Sequence, residues 1–218
     1  LKKRSKKLLV VGGVLVAGYA AAAVPYGKLV GLQVAFRALP VAQRDKLALR
    51  VKVVHVDHAD HSPIRLWVMD GAARTEIKLG PDGEMPDVPV QDWVDRKLLA
   101  DTDQKPHTVQ TEVDLTIRQP AGALTGGYLL DAVAQSQQAI SAGARQAGGY
   151  LATLAAPTVR GVTLKLSVCC AGSASVGGLQ LTQDKAGDIV IPRRALEEAR
   201  GAAVVVSAPV IGIEPATD

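Results

Sequence analysis

One order of elements is written twice in this 218-residue chain, and that recurrence narrows the fold more than any single motif does. The first passage runs through a strand from Ile64, a small-residue turn at 70–73, a second strand ending at Leu79, a turn at Asp82 and Gly83, and a Val88-Pro89 step. A helix around 93–99 and a long strand over 108–117 complete it. The second passage has a strand from Val162, a small-residue turn at 171–175, a strand ending at Leu181, a turn at 184–187, an Ile191-Pro192 step, a helix over 194–200 and a strand over 203–207. Order and spacing carry this repeat, since the copies share few residues. The expectation is a mainly β, α+β fold in a single mature β-rich domain, residues 24–218. Related units at 64–117 and 162–215 are expected to pack sheet on sheet as a sandwich.

Ahead of the first passage, Leu47, Leu49, Val51, Val53 and His55 alternate with Lys46, Ala48, Arg50 and Lys52, the period-two pattern of a half-buried strand. Leu29, Leu32, Phe36 and Leu39 fall at helical spacing before Pro40 and predict a short amphipathic helix over 28–39. Between the two passages, residues 125–156 are rich in Ala, Gly, Gln and Ser. There Leu129, Val133, Ser136, Ile140, Gly143, Ala147, Tyr150 and Leu154 trace one helical seam with small residues at its middle. Such a connecting helix is expected to cover a sheet face, with a dimer seam as the alternative.

Lys2, Lys3, Arg4, Lys6 and Lys7 precede an uncharged apolar run from Leu8, which closes on Ala20 to Ala23. Basic n-region, apolar h-region and small cleavage-site residues read as a signal peptide, 1–23, forming an N-terminal signal helix cut after Ala22 or Ala23. The location expected is the periplasm. The alternatives are an uncleaved inner-membrane anchor facing the periplasm, or full secretion. Five of the 25 Lys and Arg residues lie in this leader, which leaves 20 against 21 Asp and Glu. A near-neutral remainder without a basic stripe argues against nucleic-acid binding.

His55, Asp57, His58 and His61 lie within seven residues, and imidazole and carboxylate donors of this kind suit Zn or Cu. They are candidate metal ligands, with His107 as a downstream addition; a pH-responsive loop is the other reading. The tail His58-Ala59-Asp60-His61 resembles half of the metallo-β-lactamase signature, but Val56 stands where that family needs a histidine, and a strand follows in place of a helix.

Cys169 and Cys170 are the only cysteines. On an undistorted strand they face opposite ways and cannot bridge, Cys170 inward as a small core residue and Cys169 outward. An intermolecular or vicinal disulfide is the functional alternative to two unbridged thiols. Asp82, Glu84, Asp87, Glu197 and Glu198 are accounted for by turns and a solvated helix face. No serine is expected to have a local histidine partner, and no phosphate loop or dinucleotide motif is present.

The two-copy order, with Ile191-Pro192 followed by the Glu197-Glu198 helix, resembles a family of small exported proteobacterial envelope proteins of unknown function, over residues 64–215. That resemblance implies an envelope location and no particular activity. The function expected is a non-enzymatic binding or assembly protein without cofactor, partnered by an envelope protein or by itself through edge strands or the helical seam. A metal-binding protein using the His55–His61 loop is the alternative.

Overall fold

The computed structural model describes residues 10–11, 14–19, 23–105, 107–154, 156–167 and 172–218. Its elements in chain order are β1 (Val10–Val11), β2 (Val14–Tyr19), β3 (Val24–Pro25), α1 (Tyr26–Ala38), a 3-10 turn (Val41–Gln43), β4 (Leu47–His55), β5 (Leu66–Asp70) and β6 (Ala73–Ile77). Then come α2 (Gln91–Asp95), β7 (Leu99–Thr102), β8 (Val109–Ile117), α3 (Gly126–Leu154), β9 (Val159–Leu166), β10 (Ser173–Val176) and β11 (Leu179–Thr182). The chain closes with β12 (Ile189–Pro192), α4 (Arg193–Glu198), β13 (Val204–Val206) and β14 (Val210–Thr217). The fold is mainly β, of the α+β class. It divides into two compact units: the described residues up to Ala35 with Leu49–Asp114, and Phe36–Ala48 with Leu115–Asp218.

In the first unit two sheets, ordered β1-β2-β8-β4 and β3-β7-β5-β6, share one core. Alternation along β4 and β8 turns Val51, Val53, Val109 and Val113 inward, where they meet Leu66, Val68, Ile77 and Ala100 of the other sheet and Tyr26 and Val30 of α1. Full burial of each such aliphatic side chain contributes roughly 1.5–3 kcal/mol, so this unit holds a core of its own. Sheet-on-sheet packing, expected between repeats, is thus found inside one unit. Tyr26 anchors the start of α1: its ring meets Trp93 edge-on with centroids 5.3 Å apart, and its hydroxyl accepts the Val90 N–H at 3.3 Å. Burial pushes the Tyr26 phenol above its ordinary range.

The expected signal helix is corrected by β1 and β2. Val14 pairs with Asp114 and Leu15 with Val113, so β2 lies antiparallel to β8, and β1 lies antiparallel to β2. Valines at 10, 11, 14 and 16 are β-branched and stiff at χ1, which favours extended backbone over helix. The length and apolarity of the run do not register that preference.

In the second unit β9 is central, flanked by β12 and β14, and carries Val162 and Leu164 into a core with Ile189, Ile191, Leu196 and Ile213. Leu129, Ala132, Val133, Ser136, Ala139 and Ile140 of α3 are buried as well. This is the sheet-covering role expected of the seam, over the part of α3 whose side chains are described. A Cβ at Gly126 would meet the Ala199 carbonyl, which is why a glycine opens α3 where it crosses the end of α4. Buried Gln135 ties α3 to the 3-10 turn, donating to the Ala42 carbonyl at 3.0 Å and to Asp45 at 2.6 Å while accepting the Lys46 N–H at 3.1 Å.

The order of pairing is the same in each unit. β5 has β6 on one side and β7 on the other, β10 has β11 and β13, and β4 lies beside β8 as β9 lies beside β14. This correspondence is shifted by one strand from the one read in the sequence, which set the Ile64 strand against the Val162 strand and 108–117 against 203–207, and local boundaries differ as well. The second hairpin turns at Gly177 and Gly178, both at positive φ, with Ser173–Val176 already in strand, whereas the small-residue turn was expected at 171–175. Two glycines in the left-handed region suit a tight hairpin turn better than Ser and Ala do. The helix expected at 93–99 covers only Gln91–Asp95, because Leu99 is already paired with Met69.

Candidate functional site

The first unit carries an open cleft of about 820 Å³. One wall is the end of β4 and the loop after it, Val53 to Ile64; the other is the end of β6 and the turn after it, Glu76 to Gly83. Gly83 closes one end. Its φ is +75° and a Cβ there would strike the Val53 carbonyl, so only glycine lets this turn lie flat on β4. Two hydrogen bonds hold it in place, Val53 N–H to the Gly83 carbonyl at 2.8 Å and Met85 N–H to the Val51 carbonyl at 2.7 Å.

His55 occupies the third inward position of the alternation Val51, Val53, His55 and is 5 % exposed. A polar ring takes the place of a core aliphatic, and its polar atoms must find partners nearby. Nε2 lies 2.9 Å from the backbone carbonyl of Ser62 and 3.1 Å from Ser62 Oγ. A carbonyl only accepts, so the ring proton is assigned to Nε2. Nδ1 is buried with no hydrogen-bond partner. Asp60 Oδ2 is 3.4 Å from it, close enough for charge attraction but out of hydrogen-bond alignment.

The loop that brings Asp60 and Ser62 back to His55 is two successive aspartate turns. Asp57 Oδ1 accepts the Ala59 N–H at 3.1 Å, and Asp60 Oδ1 accepts the Ser62 N–H at 2.9 Å. Aspartate side chains that bond backbone two residues on are a standard turn device. The Ser62 N–H bond holds the Asp60 carboxyl below the usual carboxylate range, with His55 and His61 adding attraction.

Asp60, His55 and Ser62 therefore form a serine–histidine–aspartate constellation within eight residues, contrary to the expectation that no serine has a local histidine partner. Its protonation is wrong for a nucleophile. In a catalytic triad Nδ1–H donates to the carboxylate and the Nε2 lone pair accepts the serine proton. Here the Ser62 carbonyl claims a proton on Nε2, which leaves Oγ as an acceptor and Nδ1 as a lone pair.

The four expected metal ligands are not brought together. His55 turns to Ser62, Asp57 is spent in its turn, and His58 Nε2 faces Glu112 Oε1 across 3.7 Å. His61 lines the cleft, while His107, at φ +67°, is not among its lining residues. Among the described residues no three His, Cys, Asp or Glu side chains stand in a metal-holding arrangement. Cys169 and Cys170 lie outside the described residues. Of the carboxylates set aside in the sequence, Asp82 lines the cleft. Glu84 pairs with Arg50 at 3.2 Å, and Glu197 and Glu198 pair with Arg193 and Arg194 one helical turn back. Asp60 and Ser62 are the residues that sequence reasoning missed. The signal for them was there: two aspartates each placed two residues before the N–H they cap, after a strand ending in an inward histidine.

No family model matches the chain, and no curated protein or solved structure matches it. Among the described residues no helix is long and apolar enough to cross a membrane.

Proposed function

We propose that this protein is an exported, envelope-associated, non-enzymatic binding or assembly protein that receives an extended segment of a partner protein in the cleft of its first unit. The observation that carries this reading is that the cleft lies between two strand edges. β6 is the last strand of its sheet, and Ala73, Arg74, Thr75 and Glu76 are all exposed. β4 is the last strand of the other sheet, covered on its outer edge by the Glu84 bridge at Lys52 and the bond from Val53 to Gly83. Val56 N–H bonds β8 through Thr108, so by antiparallel alternation the backbone N–H and C=O of His55 face the outer edge, toward the cleft. Free backbone donors and acceptors on an edge are what an added strand pairs with, and pockets beside the edge select its side chains.

The helical seam is the less favoured docking surface, since Leu129, Val133, Ser136 and Ile140 are buried within the second unit. The envelope location rests on the basic, then apolar, then alanine-rich order of residues 2–23. Two measurements test the reading. Native mass spectrometry of periplasmic material is expected to give a mass beginning near Val24, a form without β1 and β2 in which β8 becomes the edge of its sheet; recovery only from the cytoplasm would rule out export. Amide NMR of the full chain with the extended pentapeptide acetyl-Val-Thr-Gln-Thr-Val-amide is expected to move resonances of 73–79 and 54–64. Shifts elsewhere, or none at millimolar peptide, would reject the cleft.

A further inference from the structure

The protonation of His55 also indicates what such a segment carries. Nε2 is taken up by the Ser62 carbonyl, whereas Nδ1 has no hydrogen-bond partner and stands 3.4 Å from a carboxylate oxygen of Asp60. Nδ1 is the buried atom left unsatisfied in a side chain only 5 % exposed. A buried polar atom left without a hydrogen bond is unfavourable, so a donor that reaches the position recovers binding energy. The Asp60 side chain is 46 % exposed, so a donor entering through the cleft meets its carboxylate first and Nδ1 behind it.

Charge selects the donor. The cleft is lined by the carboxylates of Asp60, Glu76 and Asp82 against one lysine, Lys78. We infer that the cleft is specific for a basic side chain, a lysine ammonium or arginine guanidinium on an extended partner segment, whose N–H groups bridge Asp60 Oδ2 and His55 Nδ1. Arginine fits best, because its fixed fork of donors spans two acceptors at once. This inference rests on the proposed docking of an extended segment in the cleft.

The test compares three pentapeptides, acetyl-Val-Thr-X-Thr-Val-amide with X as Arg, Gln or Glu, titrated into the full chain and followed by amide NMR. The Arg peptide is expected to bind about tenfold more tightly than the Gln peptide, and the Glu peptide more weakly than either. D60N keeps an Oδ1 acceptor for the Ser62 N–H and so preserves the turn; it is expected to abolish the Arg preference, with E76Q reducing it. Equal binding of all three peptides would overturn the charge selection while leaving strand docking in place. Binding of none would remove both. Long-range imidazole 15N spectra give an independent reading: a His55 ring already protonated on both nitrogens in the free protein would show Nδ1 satisfied by Asp60, and would overturn the proposal. So would saturable zinc binding that shifts His55 when the Arg peptide does not.

Discussion

His55 shows how much one substitution of chemical type can organise. At the inward end of β4 a valine or leucine would extend the core; a histidine there demands partners, and the loop from Asp57 to Ser62 supplies them. Because the decisive acceptor is the Ser62 backbone carbonyl, S62A is expected to change stability by no more than about 0.5 kcal/mol and to leave the His55 tautomer as it is, checked by denaturant unfolding and imidazole 15N shifts. G83A is expected to cost at least about 1–2 kcal/mol, since its φ alone disfavours an L side chain and the new Cβ would strike the Val53 carbonyl. The pH response follows from Asp60. Its folded-state pKa is depressed by the Ser62 N–H bond, so its stabilising contribution is present above the ordinary carboxylate pKa of about 3.9 and is lost as pH falls through the lower folded value. D60N is expected to flatten the acid limb of a stability-against-pH curve, and an unchanged limb would count against that role.

At the scale of elements, strands with one buried face were readable and irregular segments were not. The alternation from Leu47 to His55 marks β4 because successive side chains face opposite sides of the sheet, and the seam from Leu129 to Ile140 marks α3 for the equivalent reason at helical period. Leu129 is fully buried, and L129A is expected to cost about 2–5 kcal/mol by thermal or denaturant unfolding. The Ile191-Pro192 step concealed β12, because a proline reads as a break, yet it closes an edge strand opposite Gly161, a place in a sheet where proline is tolerated. In the apolar run after Lys7, apolarity outweighed the β-branched valines that make strands of 10–11 and 14–19. At the site, the histidine run was visible as composition. The partners of each histidine were not, because they depend on where two aspartate turns fold the chain back.

At the scale of the molecule, the sequence set the strand from Ile64 against the strand from Val162, whereas by pairing β9 corresponds to β4 and β5 to β10; it also placed the helix over 125–156 between units, and the fold places α3 inside the second. The backbone passes between the units after Ala35, after Ala48 and after Asp114. A single protease cut in the exposed 57–63 loop is therefore expected to yield two fragments that co-elute on gel filtration and separate only in denaturant, since the first unit is built from both sides of the cut. The same threefold crossing bears on inheritance. A recombination event that joins this gene to another at one point cannot carry off one unit without taking or breaking part of the other, so the intact pair is inherited as one block.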